Sequence, residues 1–284
     1  MICHASAFMT WYECSSLMSR LPAIAMAASL LLASAAQAQE IPEDKLFGQP
    51  RDGFELNLGA GPFASPSYAG SSSTQLRPFP LIAGGYGEWL DFDLLDGARI
   101  SALQAAGFSM GPMLRLREGR ATEDSRRYLT GLRSFSDTVE AGGFIAYTAG
   151  PLYADVTLTQ DVARSHGGAA MEARLLLSVP VGRVAFTAGP QLRAASREYA
   201  RSFYGISDAE ALRSGYAAYR PGSGIERVGA LVAAQWRMTD RWSLQGFVEY
   251  GRLQGDAADS PLVTGPGGSR DQVQSALFLS YRLY

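Results

Sequence analysis

Apolar and polar residues alternate at every second position in segments that recur along most of the chain. In PLYADVTLTQD, Leu152 and Val156 lie on one face of an extended chain, and Asp155 and Thr157 lie on the other. This period of two is typical of a β-strand with one apolar and one polar face. About twelve such segments are present, each long enough for the roughly 9–11 residues that a tilted strand needs to cross a bilayer.

A helical pattern is found at one place after the N-terminal region. In GISDAEALRSG, Ser207 and Glu210 have the spacing of a capping box, and Gly215 follows as a helix-ending residue. The sequence therefore predicts an all-β protein with one short helix in a connection.

The connections between the segments differ in length. Tight turns rich in Gly, Pro or Asp are predicted at residues 85–88, 104–107, 149–151, 180–183 and 239–241. Between them lie longer links such as REGRATEDSRRYLTGLRSF and QGDAADSPLVTGPGGS, although the links near Asp96 and His166 are short. Short turns at one rim and long loops at the other are typical of outer-membrane barrels.

We therefore predict a single antiparallel transmembrane β-barrel of about twelve strands over residues 53–284. It has short periplasmic turns, long extracellular loops and both termini in the periplasm. A soluble β protein, periplasmic or secreted, is the alternative, but such a protein has no reason to sort its loops by length.

Aromatic residues flank two of the tight turns. Tyr86 and Trp89 flank one, and Trp236 and Trp242 flank another. Amphipathic rings favour the headgroup level of a membrane, so we interpret these four as an aromatic belt at the short-turn rim.

The chain ends on a well-formed strand pattern, QSALFLSYRLY. An open sheet edge in lipid leaves backbone groups without partners, so the last strand is expected to pair with the first and close the barrel. Tyr281 and Leu283 continue the apolar face, whereas Tyr284 lies out of phase with it.

The polar faces of the strands are expected to line the barrel interior. Their charged residues have mixed signs, which favours a salt-bridged filling over a selectivity ring of one sign. The predicted interior residues are Arg115, Arg117, Glu140, Asp155, Glu172, Arg174, Arg193, Arg227 and Glu249.

Residues 1–38 have the features of an export signal preceded by an extension. An apolar run follows Arg20, and Ala36 and Ala38 form a small-residue cleavage motif. We expect cleavage after Ala38, an alternative start at Met18, and a periplasmic leader segment over residues 39–52. The two cysteines, Cys3 and Cys14, precede that site, so the mature chain has no disulfide, thiolate metal site or catalytic cysteine.

Composition and isolated residues give little indication of chemistry. The formal net charge of −2 provides no basic surface for nucleic acid. His166 lies beside Ser165, which raises the possibility of a hydrolase, but neighbours in sequence rarely face each other as nucleophile and base. Asp256 and Asp259 could offer oxygen ligands to calcium, although a loop held by Asx turns explains them better. We predict no catalytic, cofactor or metal site.

Several stretches resemble one known family. LRPFPLIAGGYGEWLDFD, GFSMGPMLRLREGR, DTVEAGGFIAYTAGP, QDVARSHGG, YARSFYGISDAEALRSGYAAYRPGSGI, WSLQGFVEYGRLQGDAADSPLV and the final LSYRL are similar to the MltA-interacting protein (MipA/OmpV) family, in the same order. The resemblance implies a barrel of the Gram-negative outer membrane that is exported and inserted by the barrel-assembly machinery. It also implies a scaffold that joins a lytic transglycosylase to a bifunctional peptidoglycan synthase, and it supplies no catalytic residues.

The leading hypothesis is therefore a non-enzymatic scaffold in the outer membrane, in contact with outer-membrane lipid. The alternatives are a narrow channel or solute-uptake barrel, suggested by the polar interior, and an outer-membrane hydrolase, which has few residues to support it. Tight periplasmic turns offer an enzyme little surface, so a partner would use the short rim, the leader segment or the membrane-buried side.

Overall fold

A computed structural model describes residues 53–284; the predicted signal with its cleavage motif at Ala36 and Ala38, and the leader segment, lie outside this range. Within it, no helix is long and apolar enough to cross a membrane. The strands are β1 (Phe54–Pro66), β2 (Thr74–Tyr86), β3 (Leu90–Asp93), β4 (Gly97–Ile100), β5 (Leu103–Ala105), β6 (Phe108–Arg117), β7 (Thr138–Ala149), β8 (Leu152–Asp161), β9 (Ala169–Val181), β10 (Val184–Ala195), β11 (Gly224–Arg237), β12 (Trp242–Leu253) and β13 (Asp271–Arg282).

The strands form one closed antiparallel barrel. Strands that are neighbours in sequence pair with each other, except β4 with β5, and β1 pairs with β13, with Leu58 opposite Tyr281. β4 and β5 both pair with β6 and form one interrupted strand, so the thirteen segments make a barrel of twelve strands. The predicted fold, strand number and closing role of the last strand are confirmed.

Prolines account for the breaks in the ladder. The Gly107 carbonyl accepts from the Thr148 N–H of β7, so Pro112, five residues later, faces the other way, towards β4 and β5. Proline has no N–H to donate, and the partner strand is interrupted opposite this residue, between Ile100 and Leu103. The same reason applies to Pro62, where the β1–β13 register has a gap between Ala60 and Phe63.

The outer surface of the barrel is apolar. Val156, Leu158, Leu175 and Leu177 are among the exposed large side chains, and the residues between them point inwards. A closed barrel with an apolar outer surface satisfies its backbone groups internally and is suited to lipid.

The two ends of the barrel differ in structure. At the turn end, tight turns join β2 to β3, β7 to β8, β9 to β10 and β11 to β12. Tyr86, Trp89, Trp236 and Trp242 are all exposed beside these turns, which is the position that a belt would require. Tyr284 lies at the same end, with its ring 6.1 Å from that of Phe54.

The opposite end, the loop end, carries the long connections and the helices. The helices are α1 (Arg126–Leu129), preceded by a 3-10 turn (Thr122–Ser125), α2 (Arg197–Tyr204), α3 (Asp208–Ser214), α4 (Gly255–Ala258) and α5 (Pro261–Thr264). α3 is the predicted helix, and its Ser207–Glu210 capping box and left-handed Gly215 are confirmed. The sequence reading missed α2, whose eight residues begin after the N-cap Ser196.

The connections at residues 67–73, 118–137, 162–168, 196–223 and 254–270 pack together at the loop end, and we call them the loop cap. Tyr199, Phe203 and Tyr204 of α2 are buried against Phe135 and against wall residues such as Ala170. A second cluster around Ile206 and Leu262 joins the remaining loops. Because these apolar side chains are removed from water, the cap is a packed layer rather than a set of separate loops.

Candidate functional site in the barrel lumen

The barrel encloses a chamber of about 920 Å³. Its lining begins at the turn end with residues such as Glu88, Gln104 and Gly107, and reaches Arg115 and Arg193 beneath the loop cap. A large cavity with converging polar groups is the usual form of a binding site, so this chamber is the candidate functional site.

The deep end of the chamber holds a charge network around Glu172. Its Oε1 is 2.7 Å from Nη1 of Arg115, 3.2 Å from Nη2 of Arg117 and 2.6 Å from Nη2 of Arg193. Arg117 also donates to Glu140, from Nε to Oε1 at 3.2 Å. Three arginines around one carboxylate are tolerated because Arg117 and Arg193 each lie beside a second acid as well.

Further ion pairs line the wall, those of Arg174 nearer the turn end and that of Arg227 at the level of Arg193, which lies opposite it on β10. Arg174 binds Asp155 at 2.8 Å and Asp96 at 3.1 Å, and Arg227 binds Glu249 at 2.8 Å. The structure places all the predicted interior residues inside the barrel, in these pairs or in the network around Glu172. The arrangement is a balanced set of pairs, as the mixed signs of the sequence suggested.

One side of the lumen is aromatic, which the sequence reading did not anticipate. Phe63, Phe79, Phe247 and Phe278 lie on β1, β2, β12 and β13 and pack with Leu81. The sequence could have shown it, because Phe278 occupies the same alternate positions of β13 as the polar residues that face the barrel interior. The chamber is therefore amphipathic, with an aromatic side opposite a charged side.

His166 lies at the junction of wall and cap, in a buried position. Its Nδ1 accepts from the Gly168 N–H at 3.1 Å, so its Nε2–H donates to Oε1 of Glu140 at 3.1 Å. Its ring also contacts Tyr199 edge-on at 5.1 Å. Ser165 points elsewhere, with its Oγ donating to the Ser136 carbonyl at 2.6 Å. The structure thus does not bring Ser165 and His166 together as a nucleophile and a base.

The cap is tied to the barrel by polar contacts as well as by apolar packing. The Tyr204 hydroxyl donates to Oε1 of Glu226 on β11 at 2.6 Å, and burial raises the pKa of Tyr204 well above its ordinary value. Arg120 donates to the Phe203 carbonyl at 3.1 Å and to the Arg133 carbonyl at 3.0 Å. Burial lowers the pKa of Arg120 to about 10, which leaves it charged at neutral pH.

The acidic loop residues have structural partners. Oδ2 of Asp256 accepts from the Gly222 N–H at 2.7 Å, and Oδ1 of Asp259 accepts from Arg270 at 2.8 Å. Across residues 53–284, no group of three or more His, Cys, Asp or Glu side chains has the arrangement of a metal site.

Comparisons with known proteins place this geometry in context. A family model described as MltA-interacting protein MipA matches residues 58–283, and no curated protein matches the chain. An outer membrane channel from Pseudomonas putida F1 is 12% identical, with 86% of this chain and 99% of that chain covered and a TM-score of 0.43. The NanC porin is 9% identical, with 80% and 98% covered and a TM-score of 0.40. Likeness at this level carries nothing about function.

Proposed function

The chain belongs to the MltA-interacting protein family, and we propose that it is a non-enzymatic interaction protein of the outer membrane. Its partners in this proposal are periplasmic enzymes of peptidoglycan remodelling, a lytic transglycosylase first and a bifunctional peptidoglycan synthase second. The family name, MltA-interacting protein, supports the first partner. The fold by itself specifies no partner.

The observation that carries the proposal is the contrast between the two ends of the barrel. The loop end is covered by a cap with a buried core that includes Tyr204, Ile206 and Leu262. The chamber instead reaches the turn end, which faces the periplasm in outer-membrane barrels. A barrel covered on the outside and accessible from the periplasm is better suited to a periplasmic partner than to solute flow.

Charge at the turn end offers such a partner a means of orientation. Glu55, Glu88, Asp91 and Asp93 line the chamber on the β1–β3 side. The turns on the β9–β13 side carry arginines, among them Arg183 between β9 and β10 and Arg241 between β11 and β12. Opposite signs on two sides of a small rim would orient a charged partner, even where the turns themselves are short.

The test is retention of native partners by the folded, immobilised barrel from a membrane extract. We expect a lytic transglycosylase and a peptidoglycan synthase to be retained, and to be lost when the barrel is unfolded by heat. A double charge reversal at the turn end, R183E with R241E, should reduce retention. The matched loop-end reversal R252E should leave it unchanged, because Arg252 pairs with Asp271 far from the turns. Failure to retain either enzyme, when both are present in the extract, contradicts the proposal.

The second candidate is a narrow channel, which the polar, ion-paired lumen favours. Single-channel conductance of the purified barrel in a planar bilayer separates the two candidates. An interaction protein with an intact cap should pass little current, whereas a channel should give steady, voltage-tolerant openings.

A further inference from the structure

The barrel wall has a gap between β2 and β6. β2 has thirteen residues but pairs with β3 only from Ala83 to Tyr86, because β3 and β4 have four residues each. β4 in turn reaches only Met113 and Leu114 of β6. Within residues 53–284, no strand pairs with residues 74–81 of β2 or 115–117 of β6 on the sides that face each other. We call this gap the wall notch.

The edge of β2 that borders the notch is built to remain without a partner strand. The Ile82 carbonyl accepts from the Leu94 N–H, so residues at even positions of β2 direct their backbone groups towards the notch. Two of these positions are Pro78 and Pro80, which have no N–H. Proline at a strand edge blocks the addition of another strand. This edge of β2 is therefore not suited to pair with a further strand.

The chamber extends into the notch. Leu116 belongs to the chamber lining, although its side chain is on the outer face of β6 and is 59% exposed. Leu95 and Gly97, at the tip of the short hairpin, line the chamber as well. Towards the loop end, Arg77 of β2 forms an ion pair with Glu118, which follows β6, and this pair spans the notch.

The lining near the notch is suited to an apolar chain. The Arg77 guanidinium lies over the rings of Phe63 and Phe79, at 5.2 and 5.7 Å from their centroids. Phe79 in turn packs against Phe278, with centroids 6.4 Å apart. A hydrocarbon chain that entered from the bilayer would therefore pass the Arg77–Glu118 pair and reach an aromatic surface directly beside it.

The deep end of the chamber offers hydrogen-bond donors. Nε of Arg115 and Nε2 of Gln191 are buried and donate to no other group of the described residues, and both side chains line the chamber. The side chain of Arg115 is only 4% exposed. Buried donors normally have partners, so these two atoms indicate a ligand acceptor such as a carboxylate. The acidic residues at the turn end, which include Glu55 and Glu88, disfavour entry of an anion from that side.

We propose that the chamber binds a single-chain amphiphile with a carboxylate head, of the fatty-acid class, that enters from the membrane through the wall notch. The acyl chain lies against the aromatic side, and the carboxylate accepts from Arg115 and Gln191. This site is independent of the proposed partner at the turn end.

The first experiment measures binding of cis-parinaric acid, a fluorescent fatty acid, to the purified barrel in lipid nanodiscs, and compares it with the methyl ester. We expect saturable binding of the acid at one site and at least tenfold weaker binding of the ester. Gln191→Leu, which removes a donor without breaking an ion pair, should weaken acid binding severalfold and leave the ester unchanged. Equal affinity for acid and ester, or no saturable binding of the acid, overturns the proposal.

The second experiment tests the route of entry. In a chain carrying C3S and C14S, R77C with E118C is bridged across the notch by a short bismaleimide, and the unbridged double variant reports any effect on folding. The control pair, R252C with D271C, is bridged between β12 and β13, where Arg252 and Asp271 are opposite each other. Bridging the notch should slow uptake of parinaric acid at least tenfold, and bridging the control pair should not. An equal rate with the notch bridged overturns entry by this route.

Discussion

The imidazole of His166 donates its Nε2–H to the carboxylate of Glu140 at 3.1 Å, and its Nδ1 accepts from the Gly168 N–H. Both side chains are fully buried. This bond joins the wall strand β7 to the connection at residues 162–168, and the His166 carbonyl accepts from Ser202 of α2 at 2.9 Å. The histidine therefore acts as a link between the barrel and its cap.

His166→Ala should destabilise this junction, because it leaves the buried Glu140 with one partner fewer. The expected cost is about 1–3 kcal/mol in the free energy of unfolding, as for other buried groups that lose a hydrogen bond. Urea unfolding in detergent, followed by tryptophan fluorescence, measures it.

Ser165→Ala is the matched control, since the Ser165 hydroxyl hydrogen-bonds to the exposed Ser136, whereas Arg133 donates to the Ser165 carbonyl, which the substitution keeps. Its expected effect is within about 0.5 kcal/mol. If both substitutions instead abolished one measurable hydrolysis to the same extent, His166 would be catalytic and its role as a structural link would be wrong.

The barrel itself was predictable from sequence, because lipid imposes a strict period on the outward face. Val156 and Leu158 point outwards, and Asp155 and Thr157 point inwards, as the alternation requires. Closure followed from the pattern of the last strand. Such features depend on the two faces of a single strand, and the alternation of apolar and polar residues along the sequence shows these faces directly.

The cap, the aromatic side of the lumen and the wall notch were not predictable in the same way. Each depends on residues distant in sequence, such as Arg120 reaching the Phe203 carbonyl from another loop. The apolar face of α2 packs within the cap, and eight residues are too few for a helical period of 3.6 to be recognised in the sequence. The sequence showed a short link near Asp96, between β3 and β4. It did not show that these short strands leave part of β2 without a partner, because that depends on the register between β2 and β3.

The cap should control whether the lumen passes ions. Phe203 packs edge-on against Phe135, with ring centroids 5.0 Å apart, and lies 4.4 Å from Tyr199. Phe203→Ala removes this packing, at a cost of about 3–5 kcal/mol to the cap. We expect the loops to become sensitive to added protease and the single-channel conductance to rise above that of the unaltered barrel.

Leu212→Ala provides the comparison, because Leu212 lies in the same connection but is 90% exposed. It should alter neither protease sensitivity nor conductance. A Phe203→Ala barrel with resistant loops and unchanged conductance would show that the cap does not seal the lumen.

Acid should loosen one contact of the cap, that between Glu210 and the connection at residues 118–137. Oε1 of Glu210 accepts from the Arg133 N–H at 2.7 Å, and Oε2 accepts from the Ser207 N–H at 2.9 Å. Burial opposes ionisation, but these hydrogen bonds outweigh it and lower the pKa of Glu210. A carboxylate with a lowered pKa stabilises the fold above its ordinary pKa of about 4.3, and this contribution is lost as the pH falls through the folded value.

We therefore expect loop proteolysis by an acid-active protease to increase below about pH 4, relative to the rate at pH 6. Glu210→Gln removes the titration, so its loops should be more sensitive at pH 6 and should show a smaller change on acidification. An identical pH profile in the two proteins would exclude Glu210 as the group responsible.

Substitutions at the Arg227–Glu249 pair test whether the ion pairs in the lumen contribute to the stability of the barrel. Their side chains are 14% and 16% exposed, and Nη2 of Arg227 lies 2.8 Å from Oε1 of Glu249. Arg227→Met leaves the carboxylate beside the chamber without this partner, which should cost about 2–4 kcal/mol in the free energy of unfolding. The double variant, R227M with E249L, should recover most of that loss, because apolar side chains of similar volume replace a pair whose desolvation offsets its attraction.

Urea unfolding of the two single variants and the double variant gives the coupling energy directly. If the double variant were as unstable as the sum of the single ones, the two charges would act independently, and the pair would not be the reason that both residues are retained in the lumen.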